Sequence, residues 1–243
     1  MKITVLGCWG AYPEPGEATA GYLLQTDKHN ILLDCGSGVL SGLLCYLGIE
    51  DLDAVFISHF HNDHCTDVGC LQYATKFSML FNKRLNPLAI YANNKSDSFI
   101  NMTYKKYTVG KEITADKEIE INGLKISFKP TIHDVYNLAM RFEYEGKVLV
   151  YTGDMGPKTD LNSFCSQADL LICETSLFEE EGNMFPGHMT TKETALLAKN
   201  AQVKNLMLTH FPHAGDIGKM PSEVLKYYNG GVFLAKMGYE HII

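Results

Sequence analysis

The apolar run Ala54-Val55-Phe56-Ile57 is followed at once by Ser58-His59-Phe60-His61-Asn62-Asp63-His64. Three imidazoles and a carboxylate therefore fall within six consecutive positions of a chain that has only nine histidines. The apolar run reads as a buried strand. The segment after His64, apolar at Val68, Leu71, Tyr73, Ala74 and Phe77, reads as a helix, so the histidine segment is a strand-to-helix loop. In extended backbone residues i and i+2 project to one side, which pairs His59 with His61 and leaves Asp63 and His64 at the turn into the helix. Imidazole and carboxylate donors at this density are the pattern of metal ligands. A single tetrahedral zinc with an open position takes only three protein ligands, so four donors in one loop, with more elsewhere, point to two metals.

The remaining ligands are sought where other apolar runs end. His133 closes Lys129-Pro130-Thr131-Ile132 after the strand Leu124 to Phe128. Asp154 follows Val148-Leu149-Val150-Tyr151-Thr152-Gly153, with a glycine beside it that lets the backbone turn closely. His210 follows Asn205-Leu206-Met207-Leu208-Thr209 in the same way. Side chains delivered by strand ends are held on a rigid scaffold.

His59-x-His61-x-Asp63-His64, then His133, Thr152-Gly153-Asp154 and Leu208-Thr209-His210, resembles the ordered ligand series of the metallo-β-lactamase superfamily. Leu6-Gly7-Cys8-Trp9-Gly10, Leu33-Asp34-Cys35-Gly36 and Gly187-His188-Met189-Thr190 more narrowly resemble its ribonuclease Z-like branch, and within that a short bacterial group of metal-dependent hydrolases. The resemblance implies one metal on His59, His61 and His133, a second on Asp63, His64 and His210, and Asp154 bridging. Asp34 would orient a ligand histidine. It also implies an α/β fold, a four-layer αββα sandwich of two mixed β-sheets flanked by helices, with two pseudo-equivalent halves split near Pro130. No sequence repeat shows that equivalence.

Two divalent ions sharing a water lower its pKa to about neutrality and present a hydroxide to an electrophile. The donor set suits zinc best and also accepts manganese or iron. His188 sharpens the reaction class. Thr190-Thr191-Lys192-Glu193 has the form of a capping box and Ala195 to Ala198 continue it as a helix, so His188 lies just ahead of a helix N-terminus, where N–H groups favour an anion. There it can touch a phosphoryl oxygen or protonate a departing alkoxide. Glu174, after the strand Leu170 to Cys173, can orient it; with Asp63 these two make up the catalytic candidates. Cys65 reads as packing. Trp9 reads as a wall of the site or as packing, and His213 as surface; His29 and His241 have no role.

At 243 residues and 46% apolar content the chain reads as one domain, residues 1–243. Strands are expected near Lys2 to Leu6, Gly21 to Thr26, Ile31 to Asp34, Ala54 to Ile57, Leu88 to Tyr91, Glu118 to Ile121, Leu124 to Phe128, Leu138 to Tyr144, Lys147 to Thr152, Leu170 to Cys173, Leu206 to Thr209 and Val232 to Leu234. Helices are expected at Val39 to Leu47, Thr66 to Phe81, Thr190 to Asn200 and Ser222 to Tyr228. Glu145-Gly146 marks a hairpin.

Met1 to Leu6 opens as a strand without a signal-type apolar region, and no stretch is long enough to span a bilayer, so a cytoplasmic protein without membrane association is expected. Seven cysteines without paired spacing fit reduced thiols. A net charge of −7 argues against a grip on long nucleic acid, and Lys83-Arg84 and Lys105-Lys106 read as solvated surface. Only twenty residues separate His133 from Asp154, leaving no room for the basic arm with which ribonuclease Z holds transfer RNA. The leading reading is a zinc-dependent phosphodiesterase acting on a small or cyclic phosphodiester or nucleotide, with a homodimer permitted. The alternatives are a ribonuclease Z-like RNA endonuclease, a hydrolase of a lactone or thioester, and a metal-dependent binding or sensor domain without turnover.

Overall fold

The computed structural model describes residues 1–182 and 184–243. In chain order the elements are β1 (Lys2–Gly7), β2 (Gly21–Gln25), β3 (Asn30–Leu33), α1 (Val39–Leu43), β4 (Ala54–Phe56), α2 (Asn62–Cys65), α3 (Val68–Leu80), β5 (Leu88–Ala92) and β6 (Thr108–Glu112). They continue with β7 (Ile119–Ile121), β8 (Leu124–Pro130), β9 (Leu138–Tyr144), β10 (Lys147–Tyr151), β11 (Leu170–Glu174), α4 (Thr191–Asn200), β12 (Asn205–Thr209), α5 (Met220–Val224), β13 (Gly231–Leu234) and β14 (Glu240–Ile242). Two compact units result, Met1–Ile113 with Lys236–Ile242, and Thr114–Ala235 with Ile243.

The first unit holds one seven-stranded sheet in the order β14-β1-β2-β3-β4-β5-β6. From β14 to β3 neighbours run antiparallel, and from β3 to β6 parallel. Leu23, Leu32, Val55, Leu71 and Ile90, all fully buried, lie in its core. β4 is buried at every position, as a strand between two parallel neighbours must be. The second unit repeats the plan on unrelated sequence, its sheet running β13-β12-β11-β10-β9-β8-β7. Neighbours from β7 to β10 are antiparallel and from β10 to β13 parallel. β8 alternates, with Leu124, Ile126 and Phe128 inward, whereas β11 is buried throughout.

Several boundaries differ from those expected of the sequence. The units part between Ile113 and Thr114 rather than near Pro130, because β7 and β8 pair with β9 and so belong to the second sheet. β6 and β14 had no sequence signature: β6 is an edge strand with exposed Lys111 and Glu112, and β14 has only three residues. The first helix stops at Leu43 and the last covers Met220–Val224, with Pro221 at its start setting the first turn. The histidine segment is a loop only as far as His61. Asn62–Cys65 forms a helical turn, so Asp63 and His64 project from helix.

Candidate metal centre

The first donor group grows out of the end of β4. Asp34, just past β3, is fully buried and adopts a left-handed φ of 55°, a conformation rare outside glycine. Its Oδ1 accepts the backbone N–H of Ser58 at 2.7 Å, and its Oδ2 accepts the Ser58 hydroxyl and the His64 Nδ1–H, each at 2.7 Å. With its proton given to Asp34, the Ser58 Oγ accepts from His59 Nδ1 at 3.0 Å. This network assigns the same tautomer to His59 and His64, proton on Nδ1 and lone pair on Nε2. His59 Nε2 then faces His61 Nδ1 at 3.1 Å. Asp63 Oδ2 accepts the N–H of Ala11 at 2.8 Å and lies 3.6 Å from His64 Nε2. Gly36 makes the turn possible, since a Cβ there would come within 1.9 Å of the Asp63 carbonyl oxygen.

The second donor group belongs to the other unit. Asp154, 2% exposed, leaves β10 after Gly153, whose φ of 57° provides the turn. His210 leaves β12, itself at φ 59°, with Nε2 3.3 Å from Asp154 Oδ2. His133 Nε2 is 3.6 Å from the same oxygen, and its Nδ1 donates to the Gly187 carbonyl at 3.0 Å. Burial pushes the His133 imidazole down, toward the neutral form that a metal ligand needs. Asp134, 72% exposed, places a carboxylate oxygen 2.9 Å from His133 Nε2, a contact that rotation into solvent can release.

His188 stands between the two histidines of this group. Its ring centroid is 5.2 Å from that of His133 and 5.4 Å from that of His210, stacked on the latter. Ligand atoms of Asp154, His188 and His210 all lie within 4.8 Å of one another. His188 Nδ1 lies 3.2 Å from Glu174 Oε1. That carboxylate is buried and also accepts the N–H groups of Met155 and Met189, while its Oε2 accepts from Ser176. Burial alone would push the His188 imidazole down, but the hydrogen bond and charge of Glu174 outweigh it and hold the group up at about 9. Divalent cations near Asp154 and His210 would push it down again. The helix behind it begins as the sequence predicts: Thr190 and Glu193 form a capping box ahead of α4.

Within the two groups the facing donor atoms are 3.1, 3.3, 3.6 and 3.6 Å apart. Tetrahedral zinc with Zn–N bonds of about 2.0–2.1 Å separates its ligand atoms by roughly 3.3 Å. The facing pairs are thus spaced as ligands of one divalent ion would be, and Asp154, His188 and His210 form a metal-competent set within the second unit. Sequence reading overlooked Ser58, Ser176 and Ala11. Ser176 Oγ is 2.8 Å from His210 Nδ1 and 3.4 Å from His188 Nδ1, so it touches both histidines. No cysteine joins a metal-competent group among the described residues. Burial pushes the Cys65 thiol up to about 11 and its Sγ donates to the His61 carbonyl. The indole N–H of Trp9 donates to Glu17, and His213 is half-buried.

Residues 29–211 match the family described as the beta-lactamase superfamily domain, and the chain belongs to that family. The probable metallo-hydrolase YhfI of Bacillus subtilis (strain 168) is 38% identical over 240 residues, 98% of each chain. The crystal structure of that metallo-β-lactamase fold protein superposes with a TM-score of 0.94 at 37% identity, covering 99% of this chain and 98% of the other. The short form of human tRNase Z gives 0.80 at 23% identity over 100% and 99% of the two chains. A diphosphatase of the PhnP family gives 0.79 at 19% over 100% and 97%. These last two are likenesses of fold. The fold is thus the metallo-β-lactamase fold, two mixed β-sheets with helices, as the ligand series implied. No helix among the described residues is long and apolar enough to cross a membrane.

Proposed function

We propose that this protein is a dinuclear metal-dependent hydrolase acting as a phosphodiesterase on a small or cyclic phosphodiester or nucleotide. His59, His61 and His133 would hold one divalent ion, Asp63, His64 and His210 the other, with Asp154 shared; zinc is the preferred ion and manganese or iron would be accepted. The observation that carries the reaction class is His188, fixed by Glu174 at 3.2 Å, stacked on His210 and two residues ahead of the Thr190 cap of α4.

When bound, the ion pair supplies an acidified water and neutralises charge on a phosphoryl oxygen. The rest falls to side chains. Glu174 fixes the His188 ring and favours its protonated form, so the Nε2 proton is available to a leaving alkoxide or a phosphoryl oxygen. Asp34, Ser58 and Ser176 engage Nδ1 of His64, His59 and His210, which leaves each Nε2 for a ligand role. A small substrate is favoured because the segment between His133 and Asp154 contains only the β9–β10 hairpin and no extended arm.

The test is turnover of bis-p-nitrophenyl phosphate, a lactone and a thioester by metal-loaded protein, with and without chelator, followed by His188→Ala. Chelator-sensitive phosphodiester cleavage that His188→Ala abolishes while metal content is kept supports the reading. Preference for the acyl substrates, or full phosphodiesterase activity in His188→Ala, overturns it.

A further inference from the structure

The antiparallel ladder that leads to the second donor group stops just short of it. β8 pairs with β9 as far as Pro130 against Leu138, and β10 pairs with β9 as far as Tyr151 against Met140. One further step of the first register sets Asn137 opposite Thr131, and three further steps of the second set it opposite Asp154. On the β8 side the ladder closes with one more backbone bond, from the Thr131 N–H to the Asn137 carbonyl at 3.1 Å. On the β10 side it cannot continue, because Gly153 at φ 57° turns that chain away. There the Asn137 side chain takes over. It is fully buried, and its Nδ2 group donates to the Thr152 carbonyl at 2.9 Å and to the Thr131 hydroxyl at 2.8 Å. Since the Thr131 hydroxyl accepts from Asn137, its own proton goes to the Asp154 carbonyl at 2.7 Å.

We propose that Asn137 is a positioning residue, the clamp that holds the His133 loop against the Asp154 turn at ligand spacing. This rests on the reading of His133 and Asp154 as metal ligands. Residues 131–137 form a loop closed at its base by Thr131 and Asn137, and its tip is exposed at Ile132, Asp134 and Tyr136. Core packing therefore does little to place His133, and hydrogen bonds must do it. Three of them fix the loop to neighbouring segments: Ile132 N–H to the Thr159 hydroxyl, Gly156 N–H to the Ile132 carbonyl, and His133 Nδ1 to the Gly187 carbonyl. Asn137 and Thr131 tie the same loop to the carbonyls of Thr152 and Asp154, the two residues that flank Gly153. With the backbone caught on both sides of that glycine, Asp154 Oδ2 is kept 3.6 Å from His133 Nε2. An amide is a costly choice for so buried a position. Asn137 Oδ1 has no hydrogen-bond partner among the described residues, and an unmet buried acceptor is a penalty that a leucine of similar size would not carry. The amide is explained by its two N–H donors, which neither leucine nor aspartate supplies.

The test compares Asn137→Leu, Thr131→Val and Thr131→Ser with the wild type in two measurements on the full chain. Zinc affinity, by competition against a chromogenic chelator, is expected to fall about 10- to 100-fold in Asn137→Leu and Thr131→Val. It should return to the wild-type value in Thr131→Ser, which keeps the hydroxyl. Backbone amide exchange on metal-free protein reads the clamp itself. Residues 131–137 are expected to exchange about 10-fold faster in Asn137→Leu, while β11 keeps its wild-type protection. Affinity equal to wild type in both Asn137→Leu and Thr131→Val overturns the proposal. So does a loss of protection in β11 as large as that in the loop, which would make Asn137 an ordinary packing residue. The Thr131 pair decides the matter even where Asn137→Leu is too unstable to purify. Failure of the phosphodiesterase reading shows differently, as metal-loaded wild type that leaves phosphodiesters uncut, and it does not alter the comparison of affinities.

Discussion

Glu174 Oε1 lies 3.2 Å from Nδ1 of His188, and the backbone N–H groups of Met155 and Met189 converge on the same buried oxygen. One carboxylate at the end of β11 thus sets both the orientation and the charge of the candidate acid. Glu174→Gln keeps the volume but removes the charge. It is expected to lower kcat for bis-p-nitrophenyl phosphate about 10- to 100-fold, with metal content retained and KM changed less than kcat. Steady-state kinetics with metal analysis on the same samples checks this.

Ser176 is the link between Glu174 and His210, its Oγ lying 2.9 Å from the carboxylate and 2.8 Å from the imidazole Nδ1. Ser176→Ala leaves His210 Nδ1 without that partner and frees the ring to turn. Metal affinity should fall about 10- to 100-fold. Competition against a chromogenic chelator measures it, and affinity equal to wild type would remove Ser176 from the support of the centre.

Asp34 is fully buried and receives three hydrogen bonds, from Ser58 N, Ser58 Oγ and His64 Nδ1. Asp34→Ala strands those donors. A loss of about 2–3 kcal/mol in unfolding free energy is expected from urea denaturation of metal-free protein, together with reduced metal retention.

Asp169 supplies the pH dependence. Burial pushes its carboxyl up, but the Lys204 ammonium at 2.8 Å and the Val148 N–H at 2.9 Å outweigh burial and hold it below the usual value of 3.8. A depressed carboxylate stabilises the fold above its unfolded pKa, and that contribution is lost as pH falls through the folded value. Lys204 is 63% exposed, so screening limits the effect. Asp169→Asn should cost about 1 kcal/mol at pH 7 and less as pH falls below the carboxylate range, measured by urea unfolding of metal-free protein.

What the sequence made legible follows from how unusual each signal is. Three histidines in six positions seldom serve anything but a metal, and Asp154 and His210 stood out because long β-branched or leucine-rich strands end at them. The Thr190 capping box could be read because both partners lie three residues apart. Ser58, Ser176 and Ala11 left no trace, since a serine or a backbone N–H becomes specific only through what folding brings to it. The helical turn Asn62–Cys65 was hidden by its brevity, and β6 by its exposed Lys111 and Glu112. The apolar positions Val68, Leu71, Tyr73, Ala74 and Phe77 mark a helix in the sequence, and of these Tyr73 and Phe77 are exposed in the structure. Periodicity marks a face without saying what will cover it.

The first sheet is closed by strands from opposite ends of the numbering: β14 lies beside β1, and Lys2 and Glu240 meet across it, 238 positions apart. Closing so long a loop makes this pairing slow to form. As the ribosome delivers the chain, the unit bearing His59 to His64 therefore waits on a segment made after the other unit is already complete. Metal loading should accordingly be a late event in biogenesis, and a nascent chain halted before β14 should fill its centre poorly.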